Sequence, residues 1–255
     1  MWTRVNSLLL HARVSAGPAP VGSPAVVLVH GLNISSRTMV PAAQHLAPYC
    51  RVYAPDLPGF GKSARPPHAL NVAGLSDALA AWIQAVGLER VVLVSNSFGC
   101  QVTVDCAVRY PERVERMVLV GPTMDPGGRP LPRLLWRWLL DTFREPPALR
   151  RALMRDYLRV NPLRAIRTFR FAYEDHIEKK LPLVRVPTLV VRGGHDPIVS
   201  QRWAEEAARL LPMGQLVVIP GEPHAAHFSA PLELARIVKP FLGIEGQQAK
   251  ERLGA

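Results

Sequence analysis

Residues 91–101 read VVLVSNSFGCQ, an apolar run that ends in Ser95-Asn96-Ser97-Phe98-Gly99 and leads into a helical pattern. A serine hydroxyl is a poor nucleophile unless a tight strand–turn–helix holds it clear of the backbone, beside a base and two N–H donors. The usual form of that turn is Gly-x-Ser-x-Gly. Here Ser95 occupies the first small position and Gly99 the second, so strand and helix still have room to pack closely. Short Ser/Gly turns after strands are common, and the pentapeptide needs partners before it means chemistry. Downstream lie Asp196, in Gly-Gly-His-Asp-Pro, and His224, in Pro-Gly-Glu-Pro-His. Only histidine titrates near neutral pH and can both take and return a proton. A carboxylate behind it orients the ring and stabilises its charged form.

Those residues need elements to carry them. Six short β-branched runs recur: VVLVHG at 26–31, VYAPDLPGFGKS at 52–63, VVLVSN at 91–96, MVLVGPTMDP at 117–126, PTLVVRGGHDPIV at 187–199 and QLVVIPGEPHAAHF at 215–228. They alternate with helical stretches and close on Gly, Pro or Asp, the sequence form of a parallel sheet covered on both faces. The polar residues gather where strands end, at the carboxyl edge where open α/β sheets place their sites. The N-terminal MWTRVNSLLLHARV has a three-leucine run and no small-residue cleavage site, and it reads as an edge strand.

The chain order Ser97, Asp196, His224, their strand-end positions, the PDLPGFGKS turn and the His30-Gly31 pair together resemble the α/β-hydrolase fold family, over roughly residues 20–242. The resemblance implies an α/β fold: a mostly parallel central sheet with helices on both faces and a small helical cap inserted after the sixth strand. It implies Ser97 as nucleophile, His224 as base and Asp196 as acid, with His227 and Asp125 as rivals for the last two roles. It also implies an oxyanion hole from the backbone N–H groups of Leu32 and Phe98, a bracing role for His30, and neither metal nor organic cofactor. Asn33 and Asn96 are candidate side-chain donors or, alternatively, turn and helix-start residues. Asp56 is expected to form a turn by bonding nearby backbone N–H groups. A serine in place of aspartate disfavours dehalogenase and epoxide-hydrolase chemistry. Cleavage of a small carboxylic ester through an acyl-enzyme is the first expectation. Thioesters, lactones, carbon–carbon bonds of meta-cleavage products and cofactor-free perhydrolysis use the same machinery. A non-catalytic ligand-binding member of the fold is the alternative from another class.

Between the fourth and fifth runs lies the one insertion. Its apolar residues fall at helical spacing, broken by Pro146-Pro147 and Pro162, which predicts helices near 131–144, 147–159, 162–171 and 173–180. By the resemblance, residues 129–182 are a cap over Ser97, set between core segments 1–128 and 183–243, and the polar tail 244–255 is expected to fray. The substrate pocket is expected to draw on Asn33, Trp136, Phe143, Phe169 and Tyr173, with Trp138 and Phe171 as further candidates. The alternative for the aromatics is the cap's own small core.

Residues 129–185 hold 14 basic and 6 acidic side chains, and so carry most of the net charge of +11. No nucleic-acid motif accompanies them, so a solvated cationic face is expected and nucleic-acid binding is not. Cys50, Cys100 and Cys106 lack metal-ligand spacing and fit reduced thiols in a cytoplasmic enzyme. A chain of 255 residues, 48% hydrophobic, suits one α/β domain. No run approaches the ~18–20 apolar residues of a membrane span. The expected partner is therefore a small acyl substrate, without stable membrane insertion, and the sequence leaves the oligomeric state open.

Overall fold

The sheet is built from strands β1 (Trp2–Val5), β2 (Leu8–Val14), β3 (Ala25–Val29), β4 (Arg51–Pro55), β5 (Val91–Asn96), β6 (Val114–Val120), β7 (Thr188–Gly193) and β8 (Gly214–Ile219). These come from a computed structural model that describes residues 1–17, 19–128 and 130–244. The strand order is β1-β2-β4-β3-β5-β6-β7-β8. From β4 to β8 the pairings are parallel, whereas β1–β2 and β2–β4 are antiparallel. The N-terminal edge strand of the sequence reading is thus a hairpin. It turns at Asn6, whose φ of 51° is a left-handed value that asparagine tolerates better than most residues.

The helices are α1 (Val40–Leu46), α2 (Val72–Ala85), α3 (Phe98–Arg109), α4 (Leu131–Arg144), α5 (Pro147–Tyr157), α6 (Pro162–Glu174), α7 (Ile177–Lys180), α8 (Gln201–Leu210), α9 (Ala226–Ser229) and α10 (Pro231–Phe241). The sheet is buried on both faces, which explains why its strands read as continuous apolar runs. Side chains still alternate. On β5, Val91 and Leu93 join a core with α2, α3 and α8, while Val92 and Val94 join a second core with α1 and α10. The architecture is the α/β-hydrolase fold, with a mostly parallel sheet between two helical layers.

Helices α4 to α7 leave the sheet after β6 and return to β7. They begin near where the apolar spacing and prolines place them. Helix α6, however, runs on to Glu174, and α7 shortens to Ile177–Lys180. The reason lies in packing: Thr168 and Ala172 form a buried stripe one turn apart, and Gln101 Nε2 donates to the Ala172 carbonyl at 2.8 Å. At the C-terminus, Ile244 is buried in the second core beside Leu242, so it belongs with the core and not with the tail. Residues 245–255 lie outside the described residues.

Close contact between α3 and the sheet is what positions the serine turn. A Cβ added at Gly99 would lie 2.6 Å from the Val29 carbonyl oxygen and 2.7 Å from that of His30. Ser95 is fully buried, with Oγ 2.9 Å from Thr103 Oγ1. Gly99→Ala and Ser95→Leu should therefore each lower the unfolding free energy measured in urea, by about 1–3 kcal/mol or more through overpacking. Ser95→Gly should cost only about 1 kcal/mol, the lost hydrogen bond. A Gly99→Ala variant as stable as the parent would contradict this packing.

Candidate active site

Ser97 stands between the last residue of β5 and the first of α3, at φ 56° and ψ −123°. A non-glycine residue there costs on the order of 1–3 kcal/mol and persists only where its surroundings over-determine it. They do so here: Ser97 N donates to the Val120 carbonyl at 3.0 Å, and Asn96 Nδ2 reaches the same carbonyl at 3.2 Å. Ser97 lines a cavity of about 460 Å³ together with Leu32, Asn33, His224 and residues of α4 and α5. Phe98 opens α3, so its N–H is among the four that have no acceptor within the helix.

Asp196 follows β7 and His224 follows β8. Asp196 Oδ1 accepts from the backbone N–H groups of Ile198 (2.7 Å) and Val199 (2.9 Å), and Oδ2 lies 2.8 Å from His224 Nδ1. Because a carboxylate only accepts, the neutral form of His224 carries its proton on Nδ1 and leaves the Nε2 lone pair free. Buried Arg192, at the end of β7, fixes the Asp196 loop by donating to the carbonyls of Asp196 and Val199 at 3.0 and 2.8 Å. A Cβ at Gly121 would come within 2.8 Å of the His224 ring, so only glycine lets the imidazole lie against the end of β6. Asn96 Nδ2 also reaches the His224 carbonyl at 3.4 Å. Asn96 is therefore a strut between strand ends, and neither an oxyanion donor nor a helix-start residue. The hydrogen bond expected between Ser97 and His224 is not formed: His224 Nε2 has no partner. Such bonds are often loose before substrate binds.

Of the rival residues, the acid Asp125 is otherwise engaged, and the base His227 has no carboxylate partner. Asp125 accepts from Gly127 N (2.8 Å), Ser200 Oγ (2.9 Å) and Arg137 Nη1 (3.3 Å). His227 lines the same cavity, and both its ring nitrogens lack partners. Burial, with the nearby His224 charge, lowers its pKa to about 3 and keeps the ring neutral. His30 Nδ1 donates to the Gly31 carbonyl and Nε2 accepts from Leu57 N, which braces the loop after β3. Asp56 ties that loop to the Pro/Gly turn, accepting from Ser36 N and Lys62 N, with His11 Nδ1 2.8 Å from Oδ2. Cys100 is buried, and its thiol is pushed up to about 12, far from a reactive thiolate.

The last turn of α4 and the residue that caps it bring two carboxyls that sequence reasoning missed. Asp141 and Glu145, one turn apart, both line the cavity. Asp141 accepts from the backbone N–H of His224 at 3.4 Å and Glu145 from that of Ala225 at 2.7 Å. Glu145 is only 3% exposed, and its Oε2 has no partner. Burial raises Asp141 to about 6, against the opposing His224 charge. Burial, reinforced by Asp141, raises Glu145 to about 7. At His224, burial pulls downward, but the charge and hydrogen bond of Asp196, with Asp141 and Glu145 behind it, prevail and raise the imidazole to about 9.

The pocket aromatics fall elsewhere than expected. Trp136 is 58% and Phe143 72% exposed, on the outer side of α4. Phe169 meets Trp138 edge-to-face and Tyr173 at a tilt, with ring centroids 5.4 Å (Trp138–Phe169) and 6.1 Å (Phe169–Tyr173) apart, and neither Phe169 nor Tyr173 lines the cavity. Trp138 does line it, as do Leu135, Leu139, Leu149, Leu153 and Tyr157. Asn33 is a cavity residue: it sits at φ 57°, its Nδ2 donates to the Ala165 carbonyl, and its Oδ1 is buried without a partner. No lysine or arginine among the described residues lines the cavity. Among the described residues no cluster of His, Cys, Asp and Glu is arranged to hold a metal ion.

The sequence model of the alpha/beta hydrolase family matches residues 26–237. Among curated proteins, the chain is 42% identical over 108 residues to 2-hydroxy-6-oxo-2,4-heptadienoate hydrolase of Pseudomonas putida, covering 39% of this chain and 37% of that one. It is 35% identical over 109 residues to an abhydrolase domain-containing protein of Caenorhabditis elegans, covering 40% of this chain and only 24% of that protein's length. An uncharacterized Mycobacterium tuberculosis protein matches at 25% over 265 residues, 86% of this chain and 75% of that one. Among solved structures, a thermophilic esterase from Thermogutta terrifontis superposes with a TM-score of 0.80 at 22% identity, covering 95% of this chain and 97% of that one. The enol-lactonase from Burkholderia xenovorans superposes with a TM-score of 0.80 at 19% identity, covering 95% and 100%.

The charges around His224 make a spectroscopic prediction. In a histidine NMR titration its imidazole should titrate near pH 9, and Asp196→Asn or Glu145→Gln should bring it down toward the ordinary range. His227 should show no titration between pH 5 and 9. A His224 midpoint near 6.5 that neither variant moves would contradict the assignment of these charges.

Proposed function

Because the chain belongs to the alpha/beta hydrolase family, we propose that it is a serine hydrolase of small neutral carboxylic esters. The observation that carries the reading is Ser97, held in a left-handed turn at the head of α3, in one cavity with an imidazole whose Nδ1 is bound to Asp196 at 2.8 Å.

In this mechanism Ser97 Oγ attacks the ester carbonyl carbon as His224 Nε2 takes its proton. The carbonyl π electrons move onto oxygen, and the N–H groups of Leu32 and Phe98 stabilise that oxyanion, helped by the positive end of α3. When the tetrahedral intermediate collapses, the carbon–oxygen bond to the alcohol breaks, and His224 returns its proton to the departing oxygen. Water then attacks the acyl-enzyme by the same route in reverse, releasing acid and free Ser97. The helices of 129–182 act as a cap in this account. They close the cavity with Leu135, Trp138 and Leu139 from α4 and Leu149 and Leu153 from α5, and so set substrate choice.

A second reading, carbon–carbon hydrolysis of a dienoate, is favoured by the 42% identity to the Pseudomonas putida hydrolase. The cavity chemistry favours the ester. Among the described residues it offers two carboxyls, Asp141 and Glu145, and no lysine or arginine to hold a substrate carboxylate, while the His224 imidazole is already bound to Asp196; like charges brought together there cost several kcal/mol. Neutral esters of graded acyl length should therefore exceed both carboxylate-bearing esters and a 2-hydroxy-6-oxo-dienoate in kcat/KM, by about tenfold or more. The reverse order would support the carbon–carbon reading.

Acylation needs neutral His224, so kcat/KM should rise with pH through the raised imidazole pKa, toward about 9, and Glu145→Gln should move that limb toward acid. Ser97→Ala and His224→Ala should each remove about 10³-fold or more of turnover without unfolding the protein, and Asp196→Asn somewhat less. Turnover retained in Ser97→Ala would refute the assignment.

A further inference from the structure

Helices α4 to α6 sort their side chains in an unusual way. The outer side of α4 carries Trp136 and Phe143, two turns apart and 58% and 72% exposed. On α5 Met154 is also exposed, with Leu158 just beyond the helix end at 80% exposure, and on α6 so are Leu163 and Ile166. A surface helix normally turns its apolar stripe inward, and large exposed apolar patches mark interaction sites. The charges are sorted too. The acids Asp141, Glu145 and Asp156 turn toward the protein: two receive the N–H groups of residues 224 and 225, and Asp156 receives the Ser35 hydroxyl at 2.7 Å. Arg133, Arg151, Arg155, Arg159 and Arg167 are exposed among the outward apolar residues. The outward residues of three successive helices are therefore mostly apolar and cationic, and the exposed carboxylate at the end of α6, Glu174, is paired with Arg170 at 2.6 Å.

We infer that this surface docks on an anionic lipid bilayer. Trp, Phe and Leu on one face bordered by arginine are what an interfacial helix presents, its rings at the headgroup boundary and its guanidiniums on lipid phosphates. A second copy of the chain would set arginine against arginine, whereas an anionic bilayer satisfies both the charge and the apolar area. The contact is reversible docking: among the described residues no helix is long and apolar enough to cross a membrane. Leu135 and Leu139 are both exposed and part of the cavity wall, so the docked face adjoins the cavity mouth and would admit bilayer-dissolved substrates from the lipid side.

The test is co-sedimentation of the full chain with vesicles of phosphatidylcholine alone and of phosphatidylcholine with phosphatidylglycerol. Binding to the anionic vesicles should exceed binding to the neutral ones about tenfold or more, and should weaken with salt, because screening acts over ~8 Å at physiological ionic strength. The double variant Trp136→Ser/Phe143→Ser should lose about tenfold or more in binding. The double variant Arg151→Gln/Arg155→Gln should lose the preference for anionic vesicles. All four positions are exposed, and unchanged thermal unfolding would show that each variant is folded. Three results would overturn the proposal: no sedimentation at low salt, serine variants that bind like the parent, or a protein dimer in solution that the serine variants dissociate, which would mean that a second copy covers this face.

Discussion

The geometry of the site hangs on one strained residue. Ser97 adopts φ 56° without being glycine, and the conformation survives because neighbouring contacts leave the chain no alternative. Gly99 lets α3 touch the carbonyls at the end of β3, Ser95 bonds Thr103 inside the seam, and Asn96 locks the strand end to Val120. Relaxing the turn to an ordinary conformation would undo the packing of α3 on the sheet, which costs more than the 1–3 kcal/mol or so of strain. The same geometry places Ser97 at the head of α3, whose first N–H groups have no acceptor within the helix.

The second organising element is electrostatic. His224 is buried among three carboxyls, one from its own sheet and two from α4. Asp196 is fully committed, with both oxygens bonded, and it orients the ring. Asp141 and Glu145 hold the backbone of residues 224 and 225 instead, so the insertion grips the loop that bears the base. Helix α4 therefore contributes a wall of the cavity, a hold on the imidazole's backbone and a share of its raised proton affinity. Among the described residues no lysine or arginine lines the cavity, which separates the basic character of the insertion from the interior chemistry. Its arginines serve the outer surface or tie helices to loops, as Arg144 does through the His195 carbonyl at 2.7 Å.

What could be read from the sequence follows a physical division. The six parallel strands were legible because burial on both faces makes each a continuous apolar run, and Ser97, Asp196 and His224 stand out as polar residues where such runs end. The helices of the insertion were legible because prolines punctuate them. The direction each helix faces was not. Trp136 and Phe143 look like pocket residues by composition but point outward, while Asp141 and Glu145 look like surface residues but point in. Periodicity along one helix cannot reveal this, because the N–H groups that make buried carboxylates tolerable belong to a loop some 80 positions away. The extension of α6 to Glu174 was hidden for the same reason, since the Gln101 contact that secures Ala172 is non-local.

The central claim, that Ser97 forms an acyl-enzyme under the control of His224 and Asp196, is tested most directly by trapping that intermediate. Rapid acid quench of the enzyme with a slowly deacylating ester, followed by peptide mass spectrometry, should find one acyl group per chain on the peptide carrying Ser97, formed at the rate of the alcohol burst. Ester turnover without such an adduct, or an adduct on another residue such as Cys100, would contradict the account.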